Sequence, residues 1–379
     1  MTTDIITYAG CGLMAATAIA TPMINILFRR PRVEEAEGNG GEKPSFSIII
    51  PAHDNASELE RHLPKYLSQN YEGDFEVIVV ESKTGDRTEE VVKHLSDDKR
   101  LYSTFIPSTS KYMSRKKLAM TVGAKAAKYD WLIFADAECY PATDKWLDTM
   151  AKACGSDRQL AVCYGNYEDD TDDFYRFVRM INSMYAMRKA ARNTAFRAAT
   201  DNVAVRRELF MKEKGFEGNL MFVRGEYDFI VNKFADEGNT AVITDPDGWT
   251  VTDTPSKKTW KNTNLFYTDA KKHLMRGFSY RMASATDTFM LYMSYLLFTA
   301  GITTGLLTGN ILITAVSALS LIICLAARLF IGSRAFDMYG ADIPLWKLIP
   351  YEIMLPMHNL RYRVKHRFSD KNDFTSHKL

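Results

Sequence analysis

The run Trp131-Leu132-Ile133-Phe134-Ala135-Asp136-Ala137-Glu138 decides how this chain is read. Five residues in a buried-strand pattern stop abruptly at two carboxylates spaced i, i+2. Carboxylate oxygens suit a hard divalent cation. In an open α/β sheet ligands bind beyond the carboxyl ends of the strands. A cation held there can carry the phosphates of a nucleotide. Acidic residues after a strand also occur in solvated turns, so the neighbouring segments have to decide between the two readings.

Working outward, strand and helix patterns alternate. Residues 46–50 read as a strand stopped by Pro51, and 57–69 as a helix that Pro64 could break. Residues 75–80 are a second strand, 88–95 a helix, and 101–105 a third strand. A helix over 114–128 carries Leu118, Val122 and Ala126 on one face, and 131–135 is the fourth strand. Such alternation predicts a largely parallel sheet with helical crossovers. The loops after its strands then gather on one edge. They carry Ala52, His53 and Asp54, then Glu81, then Lys111, Arg115, Lys116 and Lys117, and finally Asp136 and Glu138. Basic residues beside an acidic metal site fit a nucleoside diphosphate. No Gly-x-Gly-x-x-Gly follows the first strand and no Gly-Lys-Ser/Thr loop is present, which lowers the dinucleotide and P-loop readings.

The remainder of the 379 residues divides by hydropathy. A net charge of +2 gives no bulk basic character for nucleic acid. Five cysteines without CxxC spacing argue against a disulfide framework or zinc site and for a reducing compartment. Residues 5–28 carry no charge and are followed by Arg29, Arg30 and Arg32. Positive charge after the apolar run predicts an uncleaved anchor with its basic end cytoplasmic. Residues 290–306 and 311–331 form a second apolar zone, with Gly309 and Asn310 as the turn between them. Arg276 and Arg281 precede the zone and Arg328 and Arg334 close it, which predicts a transmembrane hairpin with both flanks cytoplasmic. The alternative is a pair of buried helices in a soluble domain. Residues 343–360, interrupted by Pro344, Pro350 and Pro356, suit a helix lying in the membrane interface. Arg361, Arg363, Lys365 and Arg367 follow, either touching anionic lipid or forming a solvated tail.

The ordered segments Ile48-Ile-Ile-Pro-Ala-His-Asp-Asn55, Val77-Ile-Val-Val-Glu-Ser82, Ser114-Arg-Lys-Lys-Leu-Ala119 and Phe134-Ala-Asp-Ala-Glu-Cys-Tyr-Pro141 resemble a family 2 glycosyltransferase of the membrane-bound bacterial type. Arg224-Gly-Glu-Tyr-Asp-Phe229 looks like that family's acidic acceptor-site motif, and the 200–210 segment like the strand and turn lining its acceptor cleft. The likeness spans roughly 45–275, and ordered motifs in strand contexts are specific. It implies an α/β, GT-A-like nucleotide-sugar-binding domain with a mainly parallel sheet, plus transmembrane helices at both ends. The expected organisation is an anchor at 1–32, a polar linker at 33–44, a catalytic domain at 45–282, a two-helix hairpin at 283–335, and an interfacial helix with basic tail at 336–379.

By position, the resemblance assigns Pro51, Ala52 and Asp54 to the nucleoside and Glu81, which stands where the family has Asp, to the base. Arg115, Lys116 and Lys117 fall at the basic donor position, and Asp136, Ala137 and Glu138 at the Asp-x-Asp motif. Asp136 is expected to face the donor and, with Glu138, to hold a divalent metal, Mg or Mn. Glu81 could instead cap the next turn, and the lysines could be a solvated helix face. The implied reaction is sugar transfer with inversion, a base deprotonating the acceptor hydroxyl. Where the family has Glu-Asp this chain has Glu226-Tyr227, with Asp228 following. Neighbours on a helix point about 100° apart. Asp228 is therefore the first candidate base only if the backbone adjusts, and Glu226 is the second. Both acids could also serve the start of a helix. Asn202 and Trp260 are assigned to the acceptor, although a tryptophan there could equally be core. The processive Gln-x-x-Arg-Trp motif is reduced to Ser256-Lys-Lys-Thr-Trp260, which argues for addition of one sugar. The expected partners are a nucleotide-sugar donor, a UDP-sugar first, a lipid-linked or membrane-proximal glycan acceptor, and membrane lipids, without nucleic acid. The expected location is the cell inner membrane, multi-pass, with the catalytic domain cytoplasmic. The alternative is a catalytically degenerate membrane-bound sugar-nucleotide-binding or assembly protein.

Overall fold

The computed structural model describes residues 2–28, 43–82, 87–106, 114–155, 157–192, 194–198, 200–275, 277–370 and 374. Arg29, Arg30, Arg32, linker residues 33–42, Lys111 and Arg276 lie outside the described residues. The chain forms two compact units: residues 1–30, 172–181 and 277–361, and residues 31–171, 182–276 and 362–379.

The larger unit is built on the strands Phe46–Ala52 (β1), Phe75–Ser82 (β2), Leu101–Ile106 (β3), Trp131–Phe134 (β4), Leu160–Cys163 (β6), Val203–Arg206 (β8) and Thr240–Ile243 (β9), in the order β3-β2-β1-β4-β8-β6-β9. β1, β2, β3 and β4 are mutually parallel, β8 runs against both its neighbours, and β9 pairs parallel with β6. The centre of the sheet is covered on both faces, so every residue of β4 is buried. Three short strands, Cys139–Pro141 (β5), Gly165–Tyr167 (β7) and Thr250–Thr252 (β10), form a second sheet in the order β5-β10-β7.

Helices Ala56–Leu67 (α2), Thr88–His94 (α3) and Arg115–Ala126 (α4) make the crossovers between the parallel strands. α2 buries Leu59, Leu63, Tyr66 and Leu67 and continues through Pro64 instead of breaking there. A proline removes one hydrogen bond, and here the buried face outweighs that loss. Gly123 lets α4 lie close to the sheet, because a Cβ there would stand 2.4 Å from the Ile49 side chain. Trp146–Ala153 (α5), the later part of Asp173–Arg192 (α6), Arg207–Lys212 (α7), Glu226–Phe234 (α8) and Lys257–Ala270 (α9) complete this unit's main elements.

The smaller unit contains Thr2–Ile24 (α1), the start of α6, Phe278–Thr308 (α10), Ile311–Met338 (α11) and most of Leu348–Arg367 (α12). Among the described residues α1, α10 and α11 are long and apolar enough to cross a membrane. α10 begins well before the expected 290–306 span and α11 runs past the end of the expected 311–331 span, because the helical pattern continues there into more polar sequence. Gly309, at φ +67°, ends α10, and Asn310 Oδ1 accepts from the Ile313 N–H at 3.2 Å to start α11. Met14, Ala18, Phe298 and Cys324 join the three helices in one buried cluster. α12 continues through Pro350 and Pro356, although interruption was expected. Pro350 falls in the first turn, where the missing N–H has no helical partner to lose.

Candidate functional site

The parallel strands set the site's floor. Ala52 and Glu81 are register partners at the carboxyl ends of β1 and β2, and Phe134 ends β4 on the same edge. Pro51 is half-buried and Ala52 buried behind the turn containing Asp54, which is exposed and left-handed at φ 56°. Glu81 is half-buried beside them.

One cluster lies beyond β4. Lys116, near the start of α4, places Nζ 2.6 Å from Asp136 Oδ1 and 2.7 Å from Oδ2. The Tyr227 hydroxyl donates to Asp136 Oδ1 at 2.6 Å. Lys116 Nζ also stands 3.5 Å from Glu226 Oε1 and 4.8 Å from the centre of the Tyr227 ring. Burial favours neutral forms here, yet the Lys116 charge and hydrogen bond hold the Asp136 carboxyl below its ordinary range. Burial likewise opposes the Lys116 charge, but Asp136 and Glu226 outweigh it and raise the amine. Burial and the neighbouring Asp136 charge raise the Tyr227 hydroxyl, so it stays protonated and donates.

Gly225, at φ +93°, turns the chain into α8 and exposes Glu226 and Tyr227 to this cluster. Glu226 is 2% exposed, and its Oε1 has no hydrogen-bond partner among the described residues. Arg224 Nη1 lies 4.0 Å from the same oxygen. Asp228 is engaged elsewhere. Its Oδ1 accepts from the Ala198 N–H at 3.1 Å and lies 3.5 Å from Arg197 Nε. Burial raises its carboxyl, and Arg197 only partly offsets that.

The other expected residues separate clearly. Lys117 is fully buried, and its ammonium donates to the carbonyls of Asn219 at 2.9 Å and Phe222 at 2.6 Å. It fixes a loop, because a buried cation has to find acceptors. Arg115 is exposed. Asn202 is buried, with Nδ2 donating to the Gly248 carbonyl at 2.9 Å. Trp260 is buried with its ring edge-on to Tyr167 at 6.4 Å. In the sequence Tyr227 stands only as a departure from the family pattern, and nothing there points to Asp201, whose charge acts on both Lys116 and Tyr227. No periodicity marks Asp201 out from other acids in a turn.

For a divalent metal the donor set divides. Asp136 has both oxygens engaged by Lys116 and Tyr227, whereas the Glu138 side chain is exposed and makes no hydrogen bond or ion pair among the described residues. Burial and the Asp136 charge raise its carboxyl. No group of three His, Cys, Asp or Glu that could hold a metal occurs among the described residues. A cation that takes one or two carboxylates and completes its shell with phosphate oxygens and water fits Glu138 beside Asp136.

Residues 47–212 match the family model described as glycosyl transferase family 2. No curated protein sequence matches the chain significantly. Among solved structures, the mannosyltransferase PcManGT from Pyrobaculum calidifontis, in complex with GDP-Man and Mn2+, is similar over 93% of this chain and 99% of that chain, with 17% identity and a TM-score of 0.53. S. aureus TarS 1-349 in complex with UDP-GlcNAc aligns over 83% of this chain and 92% of that chain at 11% identity, and its TM-score of 0.42 is too low to add to the fold assignment.

Proposed function

We infer, for a chain whose residues 47–212 match the glycosyl transferase family 2 model, a membrane-bound enzyme that moves one sugar from a nucleotide sugar to a lipid-linked or membrane-proximal glycan acceptor. The observation that carries this reading is the Lys116–Asp136–Tyr227–Glu226 cluster, set beyond the carboxyl end of β4. In the proposed arrangement Pro51, Ala52, Asp54 and Glu81 receive the nucleoside, Arg115 adds positive charge, and Ala137 faces the donor. Asn202 and Trp260 support the acceptor side from the positions they hold in the core. Glu138, with Asp136, would hold Mg or Mn, whose charge neutralises the departing diphosphate. Lys116 balances Asp136 and fixes its direction.

Glu226 is the better base of the two candidates. Its buried Oε1, paired at 3.5 Å with Lys116 Nζ and 4.0 Å with Arg224 Nη1, has no hydrogen-bond partner among the described residues, and an acceptor hydroxyl would supply one. The acceptor hydroxyl gives its proton to Glu226, its oxygen bonds to the anomeric carbon, and the bond from that carbon to the diphosphate breaks. Attack from the face opposite the leaving group inverts the configuration. Asp228, held by Arg197 and Ala198, positions α8 in this scheme. The three apolar helices support a multi-pass inner-membrane location, and the arginines flanking the apolar runs in the sequence favour a cytoplasmic catalytic unit.

The test compares Glu226→Gln with Asp228→Asn, using UDP-sugars and GDP-mannose with membrane-extract acceptors. Loss of a positioned base costs roughly 10²–10⁴-fold in transfer rate. Glu226→Gln is expected to fall in that range with donor affinity retained. Full transfer by Glu226→Gln would remove the assignment.

A further inference from the structure

The loop that aims Glu138 is held by three separate hydrogen bonds on three consecutive carbonyls. His62 Nδ1 stands 2.8 Å from the Ala137 carbonyl, the Asp253 N–H donates to the Glu138 carbonyl at 2.9 Å, and the Tyr66 hydroxyl donates to the Cys139 carbonyl at 3.0 Å. A carbonyl only accepts, so His62 Nδ1 carries a proton. The other ring nitrogen, Nε2, lies 3.1 Å from Asp253 Oδ1, and Arg61 Nη2 donates to Asp253 Oδ2 at 2.7 Å. His62 and Tyr66 are four residues apart and so share one face of α2. His62 is 2% exposed and Tyr66 1%. The Glu138 side chain that this frame presents is exposed and makes no hydrogen bond or ion pair among the described residues.

We propose that His62 and Asp253 are positioning residues for Glu138. Together they fix the backbone on both sides of its Cα so that the carboxylate meets a metal–nucleotide complex in one orientation. The inference rests on the reading of Glu138 as a metal-holding residue. Three observations favour it over simple core packing. The bonds converge on the one loop that carries the acidic pair. They come from two segments distant in sequence, α2 and the residue that follows β10. Asp253 links them by contacting His62 with its side chain and Glu138 with its backbone. Residues that orient a ligating group from behind are worth roughly 10–100-fold in metal affinity.

The test uses the full-length chain in detergent, with free manganese measured by electron paramagnetic resonance in the presence of UDP or GDP. Nucleotide binding without metal is measured in parallel. His62→Phe and Asp253→Asn are expected to weaken manganese uptake at least 10-fold while metal-free nucleotide binding stays within about 2-fold. His62→Gln, which keeps one donor, is expected to fall between His62→Phe and wild type. In a double-mutant cycle His62→Phe adds nothing to Glu138→Ala, because it acts through that carboxylate. Wild-type manganese uptake in His62→Phe and Asp253→Asn, or further weakening on the Glu138→Ala background, overturns the inference alone. If the wild-type chain takes up no manganese with either nucleotide, the metal reading falls and this inference with it.

Discussion

At the residue scale, the chemistry depends on which of several adjacent charged side chains faces the cluster. Lys116 reaches Asp136, whereas Lys117 turns inward to two carbonyls. The sequence shows three basic residues in a row and a helical period, but not the loop that rises to meet Lys117, because Asn219 and Phe222 are about a hundred positions away. The same limit applies to Glu226, Tyr227 and Asp228, whose directions are set by the left-handed turn at Gly225. Burial pushes the Lys117 amine down to about 8. The unfolded chain holds that proton up to about 10.4. Between these values the unfolded state binds more protons, so this group's contribution to stability rises with pH. Lys117→Met removes that term. The difference in melting temperature between wild type and Lys117→Met is therefore expected to widen in favour of wild type from pH 7.5 to 9.5. A constant or shrinking difference contradicts the buried-ammonium account.

At the element scale, the parallel strands were legible because each is a short continuous apolar run punctuated by turn residues. The motif-bearing loops consequently gather on one edge, with Ala52 opposite Glu81. The sheet's antiparallel part was less legible: β8 runs against both neighbours, and its four residues, Val203–Arg206, carry no directional signal. The prolines in α2 and α12 misled for a shared reason. Proline lowers helix propensity locally, and tertiary burial overrides that preference. α8 is the element on which the proposed base depends. Gly225 holds φ +93°, and a Cβ there would approach the Ala270 Cβ to 3.1 Å. A left-handed residue with a side chain costs about 1–2 kcal/mol. Gly225→Ala is expected to lower the melting temperature and to reduce transfer more than donor binding, since it moves Glu226 but not β1 or β2. Wild-type transfer rates in Gly225→Ala contradict that dependence.

At the scale of the whole molecule, the apolar unit contains a charge cluster that hydropathy alone did not reveal. Arg328, 2% exposed, places Nη1 2.9 Å from Glu352 Oε2, and Asn25 Nδ2 donates to Glu352 Oε1 at 2.5 Å. In the sequence Arg328 reads as the closing charge of a span, because an arginine after an apolar run ordinarily reaches the interface. Its partner lies on α12, 24 residues on. Removing one partner of a buried pair costs about 3–5 kcal/mol, whereas replacing both can be nearly neutral. Glu352→Leu should therefore destabilise the detergent-solubilised protein markedly, and Arg328→Met with Glu352→Leu should recover most of the loss. Equal melting temperatures for the single and double variants would show that the pair is not coupled.

The central claim, a metal-dependent nucleotide-sugar site at Asp136 and Glu138, is tested most directly by thermal shift of the purified full-length chain. A panel of nucleotide sugars is added with and without manganese. A ligand that binds only the folded state raises the melting temperature by mass action. The account predicts a manganese-dependent rise with at least one donor, greatly reduced in Glu138→Ala. No rise with any donor, or an equal rise in Glu138→Ala, would contradict it.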